Sequence, residues 1–331
     1  MMRSKEIRER LKDIDEFLLA EYKLEKGEEK RDWRTYEEQY LQRIKEAVRQ
    51  LKPSVDEAAA GVEEYCGPGR PHGLTLKQRV LLLLLQRLFG ESNRMMAAML
   101  SVFSMLTDVD VSYKTIERLY SDDEVDLALQ NLHIIILKKK GVENPDVSGD
   151  GTGYSLSIKQ HYASEAEKLK DDAKEKKDDA KMAFVYSFKL IDVKSKMYLV
   201  SGTSLKSEKE AFVRAKDRLE EYQITLNSVR LDRYYSYPCY LDAFDDTPVY
   251  VIPKKNATLN GSWKWKRTMI DFVNNTKEYL EQYYKRENSE CGWSMDKRRF
   301  GWGIAQRLPR RIDAADFCTA IWHNLLQLGA G

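Results

Sequence analysis

Three acidic residues, Asp150, Asp232 and Glu290, stand where carboxylates could be brought together around metal ions. Asp150 ends a short run of small and apolar residues that predicts a strand, Asp232 closes another predicted strand, and Glu290 lies in a later helical pattern. If the two strands are neighbours in a sheet, their ends and the helix converge at one edge. Converging carboxylates suit hard divalent cations such as Mg²⁺ or Mn²⁺. Two such ions about 4 Å apart can activate a hydroxyl and stabilise the leaving oxygen of a phosphodiester displacement.

Other acidic residues compete for these roles, because a carboxylate taken alone is more often a surface charge than a ligand. The competitors in the sequence are Asp146, Asp242, Asp245 and Glu287. What favours Asp150 and Asp232 is their position at strand ends. A site built from three carboxylates requires no histidine. The four histidines are scattered along the sequence, and we assign none of them to the site.

The elements that must position these residues are strands alternating with helices from Val147 onward. The apolar periodicity predicts strands at 147–150, 154–158, 182–191, 196–201, 228–232 and 249–253, and helices at 206–222, 235–244, 268–300 and 314–328. This order predicts an α/β domain over 145–331, with a mixed sheet flanked by helices. The alternating charges at 165–181 predict a solvated insert.

The amino-terminal residues 1–66 predict a charged helical arm, with an apolar stripe formed by Ile7, Leu11 and Ile14. Pro53 is expected to end its second helix. Such a stripe is typical either of simple packing or of a dimerisation element.

Residues 67–144 predict a helical, helix-turn-helix-like region that binds DNA. Arg70, flanked by Gly and Pro, fits a narrow minor groove, although the same stretch also suits a plain linker. Ser112 can cap a short helix whose outer face carries Lys114 and Arg118. An ordinary helix bundle remains the alternative, since nothing in the turn is diagnostic.

Composition narrows the class of protein. Lys+Arg 55 against Asp+Glu 53 gives a net charge of +2, so any contact with nucleic acid must be local, as in the basic blocks at 253–267 and 297–311. The four cysteines form no CxxC pair, which argues against a zinc knuckle or a disulfide framework. The apolar run at 80–85 is far shorter than the roughly 20 residues of a membrane span. We therefore expect a soluble protein of the cytoplasm, without membrane partners.

The spacing around Glu290 resembles a known signature. Tyr283, two residues, Arg286, three residues, Glu290, six residues and Lys297 match the pattern around the third acidic residue of insertion-sequence DDE transposases of bacteria and archaea. The segments GDGTGYS, LDRYYS, VIPKKN and KRRFG also look like that family. The resemblance covers about residues 145–325.

This resemblance implies a ribonuclease-H-like catalytic domain that nicks transposon-end DNA with water and joins the freed 3′ hydroxyl to target DNA. It implies Asp150, Asp232 and Glu290 as ligands of two Mg²⁺ or Mn²⁺ ions, and it implies an active homodimer. Tyr283, Arg286 and Lys297 would then contact phosphates near the cleaved end. Their spacing agrees with one face of a continuous helix.

One departure from the family is the short interval between Asp232 and Glu290, where well-known relatives carry a large β-rich insertion. Only the segment 256–267 is available for it, so the hairpin route of those relatives is not implied. Within the segment, Trp263 and Trp265 beside Lys266 could stack on an unpaired base or serve as packing residues. Arg298 adds a further candidate for DNA contact. A stand-alone ribonuclease-H-like nuclease and a DNA-binding regulator derived from a transposase are the alternative functions.

Overall fold

The structure, a computed structural model, describes residues 4–15, 33–64, 73–90, 93, 96–97, 99–100, 111–156 and 184–329, without the side chains of 4, 33–37, 40 and 287–291. Arg70, the charge run at 165–181 and the side chain of Glu290 therefore lie outside the described residues. The helices of the amino-terminal half are α1 (Ser4–Asp13), α2 (Trp33–Ala60), α3 (Leu76–Phe89), α4 (Tyr113–Leu119) and α5 (Asp123–Lys140).

Side-chain caps set the first residues of three of these helices. Thr75 forms a capping box at the start of α3. Ser112 accepts a hydrogen bond from the backbone N–H of Thr115 at the start of α4, as the sequence predicts. Asp122 accepts two first-turn N–H groups of α5. Each cap satisfies N–H groups that have no partner within the helix, so the capping residue determines where each of these three helices begins.

The prediction that Pro53 ends the second helix is wrong, because α2 continues through it to Ala60. Proline lacks an N–H, and the carbonyl that loses its helical partner is that of Arg49. Pro53 and Arg49 are both exposed, so water can take the place of the missing donor. Leu51 and Val55 are buried on the face with which α2 packs, among other helices, against α5. Tertiary packing therefore outweighs the local cost of the proline.

The carboxyl-terminal half alternates strands and helices, and it confirms the predicted α/β arrangement of a mixed sheet flanked by helices. The predicted strands at 147–150 and 154–158 are parts of one continuous strand as far as residue 156, so the prediction that Asp150 ends a strand is wrong. The elements are β1 (Asp146–Leu156), β2 (Phe184–Asp192), β3 (Tyr198–Ser204), α6 (Glu208–Glu221), β4 (Ser228–Leu231), α7 (Pro238–Asp242), β5 (Val249–Tyr250), α8 (Trp263–Asn274), α9 (Thr276–Tyr283), α10 (Glu287–Phe300), β6 (Gly303–Ile304) and α11 (Pro309–Leu328).

The sheet has the strand order β3-β2-β1-β4-β5. The pairs β1–β2 and β2–β3 are antiparallel, whereas β1–β4 and β4–β5 are parallel. The short strand β6 pairs in parallel with the far end of β1, at Ser155 and Leu156. On the edge of β1 that faces β4, residues 146–149 pair with β4 and residues 155–156 pair with β6. Residues 150–154, which include Asp150, have no strand partner on that edge in the described sheet.

The region between Asp232 and Glu290 differs from the prediction in its helix boundaries. The helix predicted at 268–300 is three helices, α8, α9 and α10, with a 3-10 turn at Tyr284–Arg286 before α10. The helix predicted at 235–244 is shortened to α7, because a 3-10 turn at Arg233–Tyr235 precedes it. The backbone of this whole interval is described, and β5 is its only strand, which agrees with the predicted lack of a β-rich insertion.

The last helix, α11, lies at the centre of the molecule. It contacts α2, α3, α5 and β3, and its residues 315–327 are buried. Ile7, Leu11 and Ile14 of the arm are buried as predicted and belong to the same hydrophobic cluster as the sheet residues. The domain boundaries at residues 66 and 144 stay a prediction. No helix in the described part of the chain is long and apolar enough to cross a membrane.

Candidate active site

Asp150 and Asp232 lie side by side because β1 and β4 are parallel neighbours. The last registered pair of these strands is Gly149 with Leu231, so Asp150 and Asp232 hold the next position of each strand. Asp232 keeps an extended backbone, with φ −58° and ψ 157°. Neighbouring strands lie about 5 Å apart. The adjacency of these two strands, which is the condition for the two aspartates to converge, is therefore met.

The same face of β1 that carries Asp150 is held against α10. Because side chains alternate along a strand, Ser148, Asp150 and Thr152 share one face. The Ser148 hydroxyl donates to the carbonyl oxygen of Arg286 at 3.3 Å. The Lys297 ammonium donates to the Thr152 hydroxyl at 2.5 Å. Two hydrogen bonds, one on each side of Asp150, therefore fix α10 alongside β1.

Position 290 lies between these two anchors, after Arg286 and before Lys297. With a helical rise of about 1.5 Å per residue, its backbone lies about 6 Å beyond Arg286. With a strand rise of about 3.3 Å per residue, Asp150 lies about 7 Å beyond Ser148. The backbone at position 290 is therefore level with Asp150. At about 100° per residue, positions 290 and 297 also share a helical face.

The opposite face of β1 allows a close approach because residues 149 and 151 are glycines. A Cβ at Gly149 would lie 2.7 Å from the Phe188 ring. A Cβ at Gly151 would lie 2.3 Å from a Glu208 carboxylate oxygen and 2.8 Å from the Tyr235 hydroxyl. The Tyr235 hydroxyl donates to Glu208, and Tyr235 is fully buried. This contact holds the 3-10 turn after Asp232 on the sheet face opposite Asp150. The sequence analysis did not assign this role to Glu208.

The carboxylate of Asp232 already holds a cation. Its Oδ2 lies 2.9 Å from a guanidinium nitrogen of Arg286, and Oδ1 accepts the backbone N–H of Tyr234 at 2.8 Å. The Arg286 side chain is 12% exposed and that of Asp232 is 33% exposed. Asp150 Oδ1 accepts the N–H of Gly151 at 2.9 Å. The site is therefore a carboxylate pair with arginine at its edge.

The remaining signature residues, Tyr283 and Lys297, flank that pair. Burial lowers the pKa of Lys297, and the positive charge of Lys189 acts in the same direction. Lys297 Nζ lies 5.1 Å from the ring centre of Trp302, which is 67% exposed. Tyr283 is buried at 3% exposure, and its ring centre lies 5.5 Å from the Arg286 guanidinium. The prediction of one continuous helical face is wrong, because the 3-10 turn separates Tyr283 from α10.

The structure separates the two tryptophans at the start of α8. Trp263 is 69% exposed, whereas Trp265 is 3% exposed and donates its indole N–H to the carbonyl of Thr258 at 2.8 Å. Trp265 is therefore a packing residue, the second of the two alternatives. Lys266 is half-buried on the same helix, and Arg298 is exposed on α10.

The candidate DNA-contact residues of the amino-terminal half lie on α4. Lys114 and Arg118 are exposed, while Ile116 and Leu119 are buried, as the sequence predicts. Lys114 pairs with Glu117 at 3.3 Å. This helix packs against α3, and its Glu117 pairs with Arg311 of α11 at 2.5 Å. Its binding to DNA stays a prediction.

An aromatic and basic group that the sequence analysis missed follows Asp232 directly. Tyr234 is 51% exposed and Tyr237 is 48% exposed. Lys254 Nζ lies 4.0 Å from the ring centre of Tyr237 and donates to its hydroxyl at 2.8 Å. The repeated aromatics of the LDRYYSY segment were the available signal, and only the buried Tyr235 between them shows which two rings face outward.

The competing acidic residues have structural partners or lie away from the pair. Asp146, at the other end of β1, accepts from Asn227 at 2.8 Å and from the Ser228 hydroxyl. Asp242 accepts from Ser262 at 2.6 Å. Asp245 is exposed in a turn, and the side chain of Glu287 lies outside the described residues. The described side chains contain no group of three or more His, Cys, Asp or Glu that could hold a metal ion; the third proposed ligand, at position 290, is not among them.

The site and the sheet together define an α/β protein with two aspartates on neighbouring parallel strands, facing a helix with basic residues. Comparison with known proteins finds one relative along nearly the whole chain. The chain is 41% identical over 320 residues to the "Probable transposase for insertion sequence element ISA1214" of Archaeoglobus fulgidus, a match that covers 96% of this chain and 94% of the relative. No protein-family model and no solved structure matches the chain. The chain belongs to this insertion-sequence transposase family.

Proposed function

We propose that the chain is a DDE transposase that cuts DNA at transposon ends and joins the freed 3′ hydroxyl to target DNA. The observation that carries the proposal is the register of β1 and β4, which places Asp150 within β1 beside Asp232 at the end of β4. The strand order, antiparallel on one side of β1 and parallel on the other, supports a ribonuclease-H-like domain. The printed name of the relative supports transposition as the activity.

The donor set fits two Mg²⁺ or Mn²⁺ ions, because it consists of carboxylate oxygens in a partly exposed position. Asp150, Asp232 and Glu290 would hold them. The attraction of Asp232 for positive charge is already evident in its pairing with Arg286 at 2.9 Å. When bound, the ions would supply Lewis-acid activation of the attacking oxygen and charge stabilisation of the leaving oxygen.

The basic side chains around the pair would position the DNA backbone. Arg286 offers a planar guanidinium for a bidentate grip on a phosphate, and Lys297 offers a point charge on the other side of position 290. Tyr283 supports the guanidinium from the protein interior. The exposed rings of Tyr234 and Tyr237 would stack on unpaired bases next to the cut, as aromatic residues do in single-strand binding.

Further DNA contacts extend this surface. Exposed or half-buried candidates on the catalytic side are Trp263, Lys266 and Arg298, and Arg70, Lys114 and Arg118 belong to the amino-terminal half. Because two transposon ends must be brought together, we propose that a homodimer is the active form. The substrate is DNA, with no small-molecule substrate.

The proposal is tested with duplexes tiled from the DNA that flanks the gene, incubated with Mg²⁺ or Mn²⁺. Asp150→Asn, Asp232→Asn and Glu290→Gln should each reduce nicking to background while leaving DNA binding in place. The matched controls are Asp246→Asn and Glu281→Gln, exposed carboxylates close to the site in sequence, which should cut like the wild type. Unchanged nicking by the Glu290→Gln variant would contradict the assignment of Glu290 as a metal ligand.

The same assay separates the alternatives. Cutting without joining of the 3′ end to a second duplex would indicate a stand-alone nuclease. Specific DNA binding without any metal-dependent cutting by the wild type would indicate a regulator.

A further inference from the structure

A buried cluster of charged side chains lies on the same sheet face as Asp150, beneath α10. Its members are Lys189 on β2, Asp296 on α10, and Asp316 and His323 on α11, each 1% exposed. Lys189 is the cross-strand partner of Asp150 in the β1–β2 register, so the cluster borders the candidate site. Lys189 Nζ lies 3.1 Å from Asp316 Oδ1, and the Ser187 hydroxyl donates to Asp316 Oδ2 at 3.0 Å.

Both ring nitrogens of His323 face hydrogen-bond acceptors. Nε2 lies 2.9 Å from the backbone carbonyl oxygen of Lys196, and a carbonyl only accepts, so Nε2 carries a hydrogen. Nδ1 lies 2.8 Å from Asp296 Oδ1. We infer that His323 is a buried imidazolium that donates from both nitrogens and thereby positions α10.

The charges around His323 agree with this assignment. Burial alone would raise the pKa of Asp296, but the charge and hydrogen bond of His323 and the charge of Lys189 hold it below its ordinary value. The assignment requires a carboxylate at Asp296 that accepts from Nδ1, and the 2.8 Å separation suits that hydrogen bond. With the imidazolium, two cations balance the carboxylates of Asp296 and Asp316. A neutral His323 would leave the carboxylate of Asp296 without a hydrogen-bonded counter-charge, because the other buried cation nearby, Arg87, donates to the Thr319 hydroxyl at 2.8 Å instead, and such a loss is costly in a low-dielectric interior.

The uncharged neighbours complete the environment. The ring centre of Tyr198 lies 4.2 Å from that of His323, and burial raises the pKa of the Tyr198 hydroxyl well above its ordinary value. Trp293 of α10 lies over Lys189, with Nζ 4.7 Å from its ring centre. Tyr154 is likewise buried, which raises the pKa of its hydroxyl. Tyr198, Trp293 and Tyr154 therefore add no charge to the cluster.

The imidazolium joins three elements. His323 lies on α11, Asp296 lies on α10, and Lys196 lies in the turn between β2 and β3. Asp296 is on the helix that carries position 290, so the two hydrogen bonds hold that helix to the central helix and to the sheet. Neutral imidazole has one N–H and can keep only one of them. This positioning role rests on the proposed function, in which Glu290 is a metal ligand.

The charge state is tested without perturbing the fold, by ¹⁵N NMR of histidine-labelled protein near neutral pH, with His323→Gln used to assign the signals. Both His323 nitrogens should be protonated. In Asp296→Asn, Nδ1 should lose its proton, because the amide can donate to it. An unprotonated Nδ1 in the wild type would overturn the imidazolium assignment.

The positioning role is tested by Mg²⁺ affinity, measured by calorimetry at pH values on both sides of the one at which NMR shows the Nδ1–H to be lost. Wild-type affinity should fall on the alkaline side together with the Nδ1–H signal. His323→Gln should bind Mg²⁺ roughly 10-fold more weakly, the scale expected when a residue that supports a metal site is lost. Its affinity should lack the alkaline fall.

The matched control is His133→Gln, which removes another fully buried histidine on a different helix. It should lower stability and leave Mg²⁺ affinity unchanged. Equal weakening in both variants would overturn the positioning role, as would wild-type affinity that stays constant while the Nδ1–H signal is lost. If the wild type binds no Mg²⁺ at any pH, the proposed function and the positioning role both fail, whereas the imidazolium assignment is decided by NMR alone.

Discussion

Arg286 and a metal ion would compete for the carboxylate of Asp232. Removal of the arginine should therefore change metal affinity and the rate of DNA cleavage in opposite directions. We expect Arg286→Met to bind Mn²⁺ more tightly than the wild type and yet to cut DNA more slowly. In the metal-free protein, the guanidinium lies 2.9 Å from Asp232 Oδ2. Removing it would free an oxygen for the metal and would also remove the proposed phosphate contact.

The magnitude follows from the geometry. A metal about 2.1 Å from the same carboxylate would lie about 4 to 5 Å from the guanidinium. A single and a double positive charge at that separation repel by about 2 kcal/mol even in the dielectric of water. Since 1.4 kcal/mol corresponds to tenfold in affinity, Mn²⁺ should bind at least about 10-fold more tightly. Reorientation of Arg286 toward solvent would reduce the gain, and its 12% exposure limits that route.

The assay is Mn²⁺ binding followed by electron paramagnetic resonance, in parallel with cleavage of end DNA. Lys285→Met is the control, because Lys285 lies in the same 3-10 turn and bonds Gln282 at 2.8 Å rather than a site carboxylate. It should leave Mn²⁺ affinity unchanged. Weaker or equal Mn²⁺ binding by Arg286→Met would refute the competition between arginine and metal at Asp232.

Three further predictions concern stability and binding. Trp265→Ala should destabilise the fold by about 3–5 kcal/mol, because a buried ring is lost. Trp263→Ala should change stability by less than about 0.5 kcal/mol and weaken DNA binding by about 1–3 kcal/mol. Chemical denaturation measures the two changes in stability, and a binding titration measures the change in DNA affinity. Gly202→Ala should cost about 1–3 kcal/mol on the same denaturation assay, because its Cβ would lie 2.3 Å from the carbonyl oxygen of Ala211. Burial lowers the pKa of His133 to about 4. The unfolded chain takes up that proton near pH 6.5, so stability should fall by about 3 kcal/mol between about pH 6.5 and about pH 4, and His133→Phe should lack this part of the pH dependence.

The placement of the two aspartates was open to prediction because it depends on local signals. A run of small residues before Asp150 and an apolar run before Asp232 both indicate strands, and the element order indicates a mixed sheet. The glycines after Asp150 wrongly indicate a strand end there, since β1 continues to Leu156. The helix caps at Thr75 and Ser112 are equally local. Where one residue and its near neighbours decide the outcome, periodicity and capping rules suffice.

Features decided by distant neighbours could not be predicted in this way. The helix continues through Pro53 because its other face is buried, and the short β6 forms because β1 offers an edge. Lys189 lies in a strand that is buried on both faces, so its charge requires partners that come from α10 and α11, more than a hundred residues later. The sequence pattern alone would place such a lysine in solvent.

The burial of α11 on all sides sets an order of events during synthesis. This helix leaves the ribosome after α2, α3, α5 and β3, and its residues 315–327 form the centre against which those elements pack. The pairing of β6 with β1 likewise joins segments far apart in the chain. Contacts of such long sequence separation form late in folding. A nascent chain therefore lacks the assembled surroundings of Asp150 and Asp232 until α11 has emerged.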